Sequence, residues 1–297
     1  MSFRKTIVAG LLLAAAGAQA ATLDKIKETG SVSMGVRESS GAMSYTTGDG
    51  KFAGFHVDVC QHVLADIQKK LGMAKLDIKY QPVTSQNRIP LVQNGTVDIE
   101  CGSTTNNTAR QKDVAFAPTL YVEEVRIAVK ANSGITSIAQ LAGKTVATTT
   151  GTTSVQTLRK HERASNVDFK EVFGKDHSDS FLLLESGRAD AFVMDGQILA
   201  GLISKSKNPA DYKIVGETLS VEPIAIMFRK DDPAFKKAVD DSIAAMVKSG
   251  EVAKLYDKWF MQPIPPTNTK VGLPASEATK AAWANLNDKP MEDYVKK

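Results

Sequence analysis

Hydroxyl and guanidinium side chains are concentrated in one segment in the first half of the chain. Ser85 and Arg88 lie at the expected start of a short helix. Ser103, Thr105 and Arg110 lie in the polar loop GSTTNNTAR, which follows an expected strand. Arginine side chains, hydroxyl groups and a helix N-terminus all favour a bound anion. The segment therefore predicts an anion-binding site, although one arginine by itself would indicate only an ordinary surface residue.

Local sequence signals indicate how the side chains at the helix start and those of the polar loop reach one place. Pro90 is tolerated only in the first turn of a helix, so a helix is expected to begin close to residues 85–88 and to end at Gly95. Apolar and polar residues alternate over residues 97–101, which is typical of a strand. The helix start and the strand end therefore deliver their side chains to one point.

The surrounding elements predict an α/β fold. Strands are expected at residues 31–36 and 76–80, with a helix over residues 57–71 between them. Strands that alternate with helices of this length favour a largely parallel sheet. Ligands of such sheets bind at the carboxyl ends of the strands, and Arg37 follows the first strand at such an end.

The second half of the chain repeats this segment. SQNRIPLVQNGTVDIECGS, which starts at Ser85, resembles HSDSFLLLESGRADAFVMD, which starts at His177. In this alignment Ser103 falls opposite Asp195, so both copies have polar groups at the same two points of a helix–strand unit. The repeat predicts two similar lobes that face each other across a cleft. The alternative is a chance match between generic helix–glycine–strand units.

A second anion-binding helix start is expected at the turn that precedes Thr153. The sequence Gly-Thr-Thr-Ser exposes backbone N–H groups and hydroxyls at the start of a helix. The turn lacks the lysine and the spacing of a phosphate loop, so nucleotide binding is a weak alternative. By itself the pattern would indicate only a capped helix.

The helices that follow the second copy most simply pack back on the first lobe. This arrangement makes the first lobe discontinuous and requires two chain crossings. The crossings are expected near Arg126–Lys130 and near Pro223–Arg229.

The N-terminal 20 residues have the features of a secretory signal peptide. Arg4 and Lys5 precede an apolar run, and Ala18-Gln19-Ala20 has the form of a signal-peptidase site. Without Arg4 and Lys5, the 37 basic residues become 35, against 33 acidic ones. This balance, with no basic block, argues against nucleic-acid binding. The sequence therefore predicts an exported protein.

Two cysteines, Cys60 and Cys101, are too few for a disulfide scaffold. Each lies on an apolar face, so they could form one bridge or remain buried thiols. No clustered histidine and cysteine spacing is present, so neither a metal site nor a cofactor is expected.

Taken together, RESS, TSQNR, CGSTTN-x-x-x-R, GTTS, KDHSDSF and MD resemble a known family. This family is the periplasmic solute-binding proteins of polar amino-acid ABC transporters, and the similarity is greatest to its glutamate- and aspartate-binding members. The resemblance covers residues 22–266 and implies an α/β, two-lobed type II periplasmic-binding-protein fold with two hinge crossovers and a central ligand cleft. Residues 21–127 and 225–262 would form the first lobe, residues 128–224 the second, and residues 263–297 a tail that packs on the body.

The resemblance also implies roles for nine residues in binding an amino acid. Arg110 would bind the α-carboxylate with help from Thr105 and Thr153, and Asp195 with the Ser103 loop would bind the α-ammonium. The side-chain carboxylate would be bound by four further residues: Arg37, Ser85, Arg88 and His177.

The charges of these residues favour an acidic ligand. Three arginines and Asp195 sum to +2, whereas glutamate or aspartate carries −1, and a neutral amino acid would leave one arginine without an anion. A hydrogen bond to a carboxylate would favour protonated His177, so affinity would rise as pH falls. His177 could instead be a structural loop residue, and Asp195 could be a helix cap.

The sequence therefore predicts the monomeric solute-binding component of an ABC importer. It would bind L-glutamate or L-aspartate by lobe closure and deliver it to a membrane permease. An enzyme on the same fold, such as a dehydratase, is one alternative, and a soluble amino-acid sensor is another. An enzyme would need a group that moves protons, and the proposed site has neither paired carboxylates nor a nucleophile–base pair.

Overall fold

A computed structural model describes residues 21–294. The predicted signal peptide, residues 1–20, lies outside the described residues. Two five-stranded sheets form the centres of two lobes. The strands of the first sheet are, in spatial order, β5 (Asp77–Pro82), β1 (Ser31–Val36), β6 (Ile99–Glu100), β13 (Met227–Arg229) and β7 (Val114–Phe116).

The second sheet has the same strand arrangement as the first. Its strands are, in spatial order, β10 (Lys170–Gly174), β9 (Thr145–Thr149), β11 (Ala191–Asp195), β8 (Tyr121–Lys130) and β12 (Tyr212–Ile224). In each sheet the first three strands run parallel, and the fourth is antiparallel to both of its neighbours. We call the parts of the chain around these sheets the first lobe and the second lobe.

Helices cover both sheets, and two small sheets lie outside them. The described α-helices are α1 (Thr22–Thr29), α2 (Phe55–Lys70), α3 (Arg88–Gln93), α4 (Thr153–Ser165), α5 (His177–Glu185), α6 (Gly196–Lys205), α7 (Pro233–Lys248), α8 (Glu251–Tyr256) and α9 (Glu277–Ala284). The small sheets are β2 (Ser39–Ser40), β3 (Ser44–Gly48) and β4 (Lys51–Ala53), and β14 (Pro263–Ile264) with β15 (Thr269–Lys270).

The internal repeat predicted from the sequence is confirmed in the backbone. Helices α3 and α5 are both followed by a glycine in the left-handed region, with φ of 76° at Gly95 and 73° at Gly187. Only a residue without a Cβ adopts this conformation at little cost, and it turns the chain into β6 or β11. Strand β6 is shorter than the predicted strand over residues 97–101.

The first chain crossing differs from the prediction. A crossing near Arg126–Lys130 is wrong, because Tyr121–Lys130 is one continuous strand that pairs on both sides within the second sheet. The chain instead passes between the sheets at residues 117–120, so the predicted lobe boundary after residue 127 falls inside β8. The second crossing, at residues 225–226, lies within the predicted region.

Apolar burial is separate for the two lobes. The largest cluster packs α2, α7 and α8 against the first sheet and includes Phe55, Phe228 and Phe260, each fully buried. The second sheet has one apolar cluster that includes Val146 and Leu158, and another around Phe192. Each lobe therefore has its own core, which allows rigid motion about the crossings.

A disulfide bond joins Cys60 of α2 to Cys101, directly after β6. The sequence left this bond open, and the structure settles it. Replacing both residues by alanine should lower the free energy of unfolding by about 4 kcal/mol, because the bond closes a loop of 41 residues in the unfolded chain.

Urea titration of the wild type and of the double variant measures this difference. The variant Cys60→Ala alone is the control and should lose as much, since either substitution breaks the bond. Equal midpoints for the oxidised wild type and the double variant would contradict the expectation.

The C-terminal segment, residues 263–294, packs across the first crossing. The indole Nε1 of Trp283 donates to the carbonyl oxygen of Leu120 at 2.8 Å, and the Thr119 backbone N–H donates to Asn287 at 2.9 Å. The side chain of Asn106, in the loop after β6, donates to the Asp288 carbonyl oxygen at 2.8 Å. The segment therefore contacts both the crossing and the polar loop.

No described helix, within residues 21–294, combines the length and the apolar character needed to cross a membrane.

Candidate functional site

A small cavity lies between the lobes, at the carboxyl ends of the central strands. Seven of the nine predicted site residues line it, and Thr152 and Met194 complete the lining. The seven are Ser85, Arg88, Ser103, Thr105, Thr153, His177 and Asp195. Arg37 and Arg110 lie behind this lining. That these residues bind a ligand stays a prediction.

The repeat explains why these side chains meet. Ser85 precedes α3, and His177 is the first residue of α5. Ser103 follows β6, and Asp195 ends β11. Because the two lobes face each other, each lobe contributes one residue from a helix start and one from a strand end.

Arg37 is fully buried and has partners in both lobes. Its Nη2 lies 2.9 Å from a carboxylate oxygen of Asp176, 3.0 Å from the Ser85 hydroxyl and 3.2 Å from His177 Nε2. Burial would raise the pKa of the Asp176 carboxyl, but its electrostatic interactions with His177 and Arg37 hold it below its ordinary value. Asp176 already offsets the charge of Arg37, and it is not among the nine residues expected from the sequence. Its position before His177, at a helix N-cap, was the available signal.

His177 is neutral in this arrangement. Arg37 can only donate, so His177 Nε2 accepts, and Nδ1 donates to the Thr149 hydroxyl at 3.0 Å. Burial and then the charge of Arg37 lower the pKa of His177 to about 3. The expected protonation of His177 depends on a hydrogen bond to a ligand carboxylate, and in this structure the Arg37 guanidinium lies at Nε2 instead.

Arg88 differs from Arg37 because it forms no ion pair with a carboxylate among the described residues. Its side chain is buried, and neither Nε nor Nη1 donates a hydrogen bond to any other residue of the described chain. Burial and then the charge of Arg110 lower the pKa of the Arg88 guanidinium, while Glu100 and Asp195 act in the opposite direction. Arg88 therefore brings a positive charge with unused donors to the cavity wall.

Arg110 links the lobes through backbone carbonyls. Its Nη1 donates to the carbonyl oxygen of Thr105 at 2.9 Å, and its Nη2 lies 3.4 Å from that of Gly151. Gly151 has a φ of 80°, and a Cβ there would lie 2.8 Å from the Cα of Gln86. The turn before α4 therefore packs directly on the first lobe.

A buried carboxylate that sequence reasoning missed lies behind two of the cavity residues. Glu222 of β12 accepts hydrogen bonds from the Thr105 hydroxyl at 2.5 Å and from the Thr153 hydroxyl at 2.7 Å. The two hydroxyl protons are therefore not available to a ligand carboxylate, contrary to the expected help for Arg110. No local motif marks Glu222, because its partners are 117 and 69 residues away in the chain.

Asp195 is at the N-cap position of α6, but its side chain makes no capping hydrogen bond. The helix-cap alternative is therefore not supported by a contact. Burial and then the charge of Glu222 raise the pKa of the Asp195 carboxyl to about 7, against the opposing charge of Arg88. A carboxyl with this pKa gains a proton or loses one near neutrality when its surroundings change.

The lobes are in contact around the cavity. Asp176 accepts from Ser39 at 2.7 Å, and the Gln197 side chain accepts from the Ala42 N–H at 3.2 Å. The ammonium of Lys205 lies 3.5 Å from the ring centroid of Tyr45, a cation–π contact. These contacts close the cleft on the side of α6.

Gly201 of α6 permits this close approach. An added Cβ would lie 2.9 Å from the Cα of Gly41 in the opposite lobe. The variant Gly201→Ala should therefore reduce ligand affinity about tenfold, because the closed form would have to open slightly. It should raise the thermal midpoint, since alanine favours a helix by about 1 kcal/mol over glycine.

Calorimetry measures the expected loss of ligand affinity in Gly201→Ala, and thermal unfolding measures the expected rise in its midpoint. Ala200→Val, in the same helix, is the control and should leave affinity within about twofold. Unchanged affinity of Gly201→Ala would mean that the contact between the glycines does not form on closure.

Within residues 21–294, no group of three or more histidine, cysteine or acidic side chains is placed to hold a metal ion.

Comparison with known proteins identifies the family. The sequence profile of the bacterial extracellular solute-binding proteins, family 3, matches residues 32–262. The chain belongs to this family. It is a periplasmic solute-binding protein, a transport component and not an enzyme.

Several relatives match nearly the whole chain. The glutamate/aspartate import solute-binding protein of Escherichia coli is 44% identical, covering 98% of this chain and 100% of its own length. The L-glutamate/L-aspartate-binding protein of Pseudomonas aeruginosa is 45% identical, covering 96% of each chain.

Solved structures confirm the two-lobed type II periplasmic-binding-protein fold. A mutant of ArgBP from T. maritima has a TM-score of 0.72 and 27% identity, covering 81% of this chain and 100% of its own. An ancestral arginine-binding protein bound to arginine has a TM-score of 0.68 and 31% identity, covering 78% of this chain and 98% of its own.

Proposed function

We propose that this solute-binding protein binds an acidic L-amino acid, L-glutamate or L-aspartate, between its lobes and delivers it to the permease of an ABC importer. The names of the relatives in E. coli and P. aeruginosa support this ligand class. The character of the cavity supports it independently.

The single observation that carries the proposal is the state of Arg88. Among the three arginines, Arg37 is already paired with Asp176, and Arg110 donates to backbone carbonyls. Nε and Nη1 lack partners in both Arg37 and Arg88, but Arg88 alone among these three is a buried cation whose guanidinium has neither a carboxylate nor a carbonyl partner among the described residues. A buried charge of this kind is stable only when an anion joins it. A second carboxylate on the ligand, beside the α-carboxylate, satisfies this need.

The remaining residues fit the two ends of such a ligand. The side-chain carboxylate would contact Arg88 and Ser85, with Arg37 and His177 holding that wall of the cavity. The α-ammonium would contact Asp195 and Ser103. These assignments keep the residues expected from the sequence but give Arg37 a supporting role.

The α-carboxylate would bind near the start of α4. Backbone N–H groups of the first helical turn, which begins at Thr153, are donors for an anion at a helix N-terminus. Arg110 adds positive charge there through its contact with Gly151. The Thr153 hydroxyl is not counted among these donors, since it already donates to Glu222.

Lobe closure would then link binding to delivery. The cavity walls come from both lobes, so a ligand has more contacts in the closed form and shifts the population toward it. A permease can distinguish the loaded protein from its open form by shape. We propose that the carrier acts as a monomer.

Titration calorimetry on refolded, ligand-stripped protein tests the proposal with L-glutamate, L-aspartate and L-glutamine. We expect micromolar or tighter binding of at least one acid, equivalent to about −8 kcal/mol or more, and much weaker glutamine binding. Preference for glutamine would leave the carrier role intact but refute the role of Arg88. Binding of none of the three would refute the ligand class.

A further inference from the structure

Glu222 lies between the two lobes at the start of the second crossing. It is fully buried in β12 and pairs across the strands with Glu123 of β8. One carboxylate oxygen accepts from both Thr105, in the first lobe, and Thr153, in the second. The other accepts from the Ser220 hydroxyl at 2.7 Å. All of these contacts have the carboxylate as acceptor.

This arrangement fixes the direction in which the two threonine hydroxyls donate their protons. A hydroxyl group has one proton to donate and two lone pairs that accept. Both protons point to the same oxygen of Glu222, and the two hydroxyl oxygens lie 3.3 Å apart. Toward the cavity, Thr105 and Thr153 can therefore offer only lone pairs.

The part of the cavity wall formed by Thr105 and Thr153 therefore presents hydrogen-bond acceptors to a ligand. Asp195 lines the same cavity, and its carboxylate can only accept when it is ionised. Glu222 adds a second negative charge behind the threonines and acts on Asp195 through space. An ammonium group, with three donors and a positive charge, is the chemistry that such a wall recognises.

We propose that Glu222 is a positioning residue that makes the site require an α-ammonium group, because it holds the Thr105 and Thr153 hydroxyls as acceptors. The inference rests on the proposed function and deepens it. Glu222 does not line the cavity, so its effect on the ligand passes through the two threonines and through its charge.

A pair of ligands that differ only in the amino group tests this inference. L-glutamate and glutarate have the same two carboxylates, and glutarate lacks the α-amino group. Affinities of both for the wild type and for Glu222→Gln are measured by calorimetry, with glutarate measured in competition with L-glutamate. In the variant the negative charge is lost, and where the amide nitrogen faces the two threonines it donates to their hydroxyls, which can then turn their own protons toward the cavity.

We expect the preference of the wild type for glutamate over glutarate to fall at least tenfold in Glu222→Gln. If Glu222 had a merely structural role, its substitution would weaken the binding of both ligands equally and leave the ratio of the two affinities unchanged. That result would overturn the proposal. If the wild type binds no acidic amino acid, the proposed function itself fails, which is a separate result.

Glu123→Gln is the matched control. Glu123 is the cross-strand neighbour of Glu222, and one of its carboxylate oxygens accepts from the Glu124 N–H, while neither contacts Thr105 or Thr153. The ratio of glutamate affinity to glutarate affinity in Glu123→Gln should equal that of the wild type.

Threonine variants keep the inference testable if Glu222→Gln does not fold. Thr153→Val removes an acceptor and should lower the ratio, whereas Thr153→Ser retains the hydroxyl and should preserve it. Equal ratios for Thr153→Val and the wild type would also overturn the proposal.

Discussion

Arg88→Met should raise the dissociation constant for L-glutamate by about two to three and a half orders of magnitude. Loss of one partner from a buried ion pair costs about 3–5 kcal/mol, and each 1.4 kcal/mol is tenfold in affinity. The loss should be specific for the acid, because glutamine has no second carboxylate to leave unpaired. Preference for glutamate over glutamine should therefore largely disappear in this variant.

The same substitution should not reduce thermal stability. The Nε and Nη1 groups of Arg88 have no hydrogen-bond partners among the described residues, so the folded protein loses no such bond. A buried cation replaced by an apolar side chain of similar length is often neutral or stabilising.

Calorimetry and thermal unfolding of Arg88→Met test both statements. Arg163→Met, an exposed arginine on α4, is the control and should leave the dissociation constant within about twofold. A large fall in the unfolding midpoint of Arg88→Met would show that the guanidinium stabilises the fold. Unchanged glutamate affinity would contradict its role as the carboxylate anchor.

Affinity for glutamate should fall as pH falls from 8 to 5.5, by about tenfold per unit below pH 7. The Asp195 carboxyl has its pKa raised to about 7, and only its ionised form can pair with the ligand ammonium. Above pH 7 the carboxylate is ionised before binding, and below it a proton must leave first. Binding near pH 7 should therefore release protons, which calorimetry in buffers of different ionisation enthalpy measures.

Asp195→Asn should bind glutamate about ten- to a hundredfold more weakly at pH 8, since a charge-assisted hydrogen bond is worth about 1.5–3 kcal/mol. Its affinity should be nearly flat across the same pH range. Titration of His177 would produce the opposite slope in the wild type, because its protonation adds positive charge. A rise in affinity on acidification would thus refute the assignment to Asp195.

The sequence predicted the parts of the site that follow from local signals. Helix starts, strand ends and the internal repeat placed Ser85 opposite His177 and Ser103 opposite Asp195. The structure brings all four to one cavity. Periodicity and turn residues determine such positions because each depends on neighbours a few residues away in the chain.

Contacts between distant residues were beyond this reasoning. Asp176 pairs with Arg37 across 139 residues, and Glu222 with Thr105 across 117. Two arginines that look alike in sequence, Arg37 and Arg88, therefore differ in their partners. The charge count from sequence was incomplete because it included the cations and one aspartate but not these buried carboxylates.

The first chain crossing was missed for a similar reason. Tyr121–Lys130 reads as one strand in either location, and the sheet it joins depends on pairing with β11 and β12. No residue within the strand marks its start as the crossing.

The disulfide bond also bears on the entropy of ligand capture. Cys101 immediately precedes Gly102 and Ser103, so the bond anchors the start of the polar loop to a long helix during folding. A flexible loop must lose conformational freedom when a ligand binds, and that loss weakens affinity. Here the restriction is imposed in the oxidising periplasm, before any solute arrives. The loop is thus preorganised, and more of the interaction energy can appear as affinity at low solute concentration.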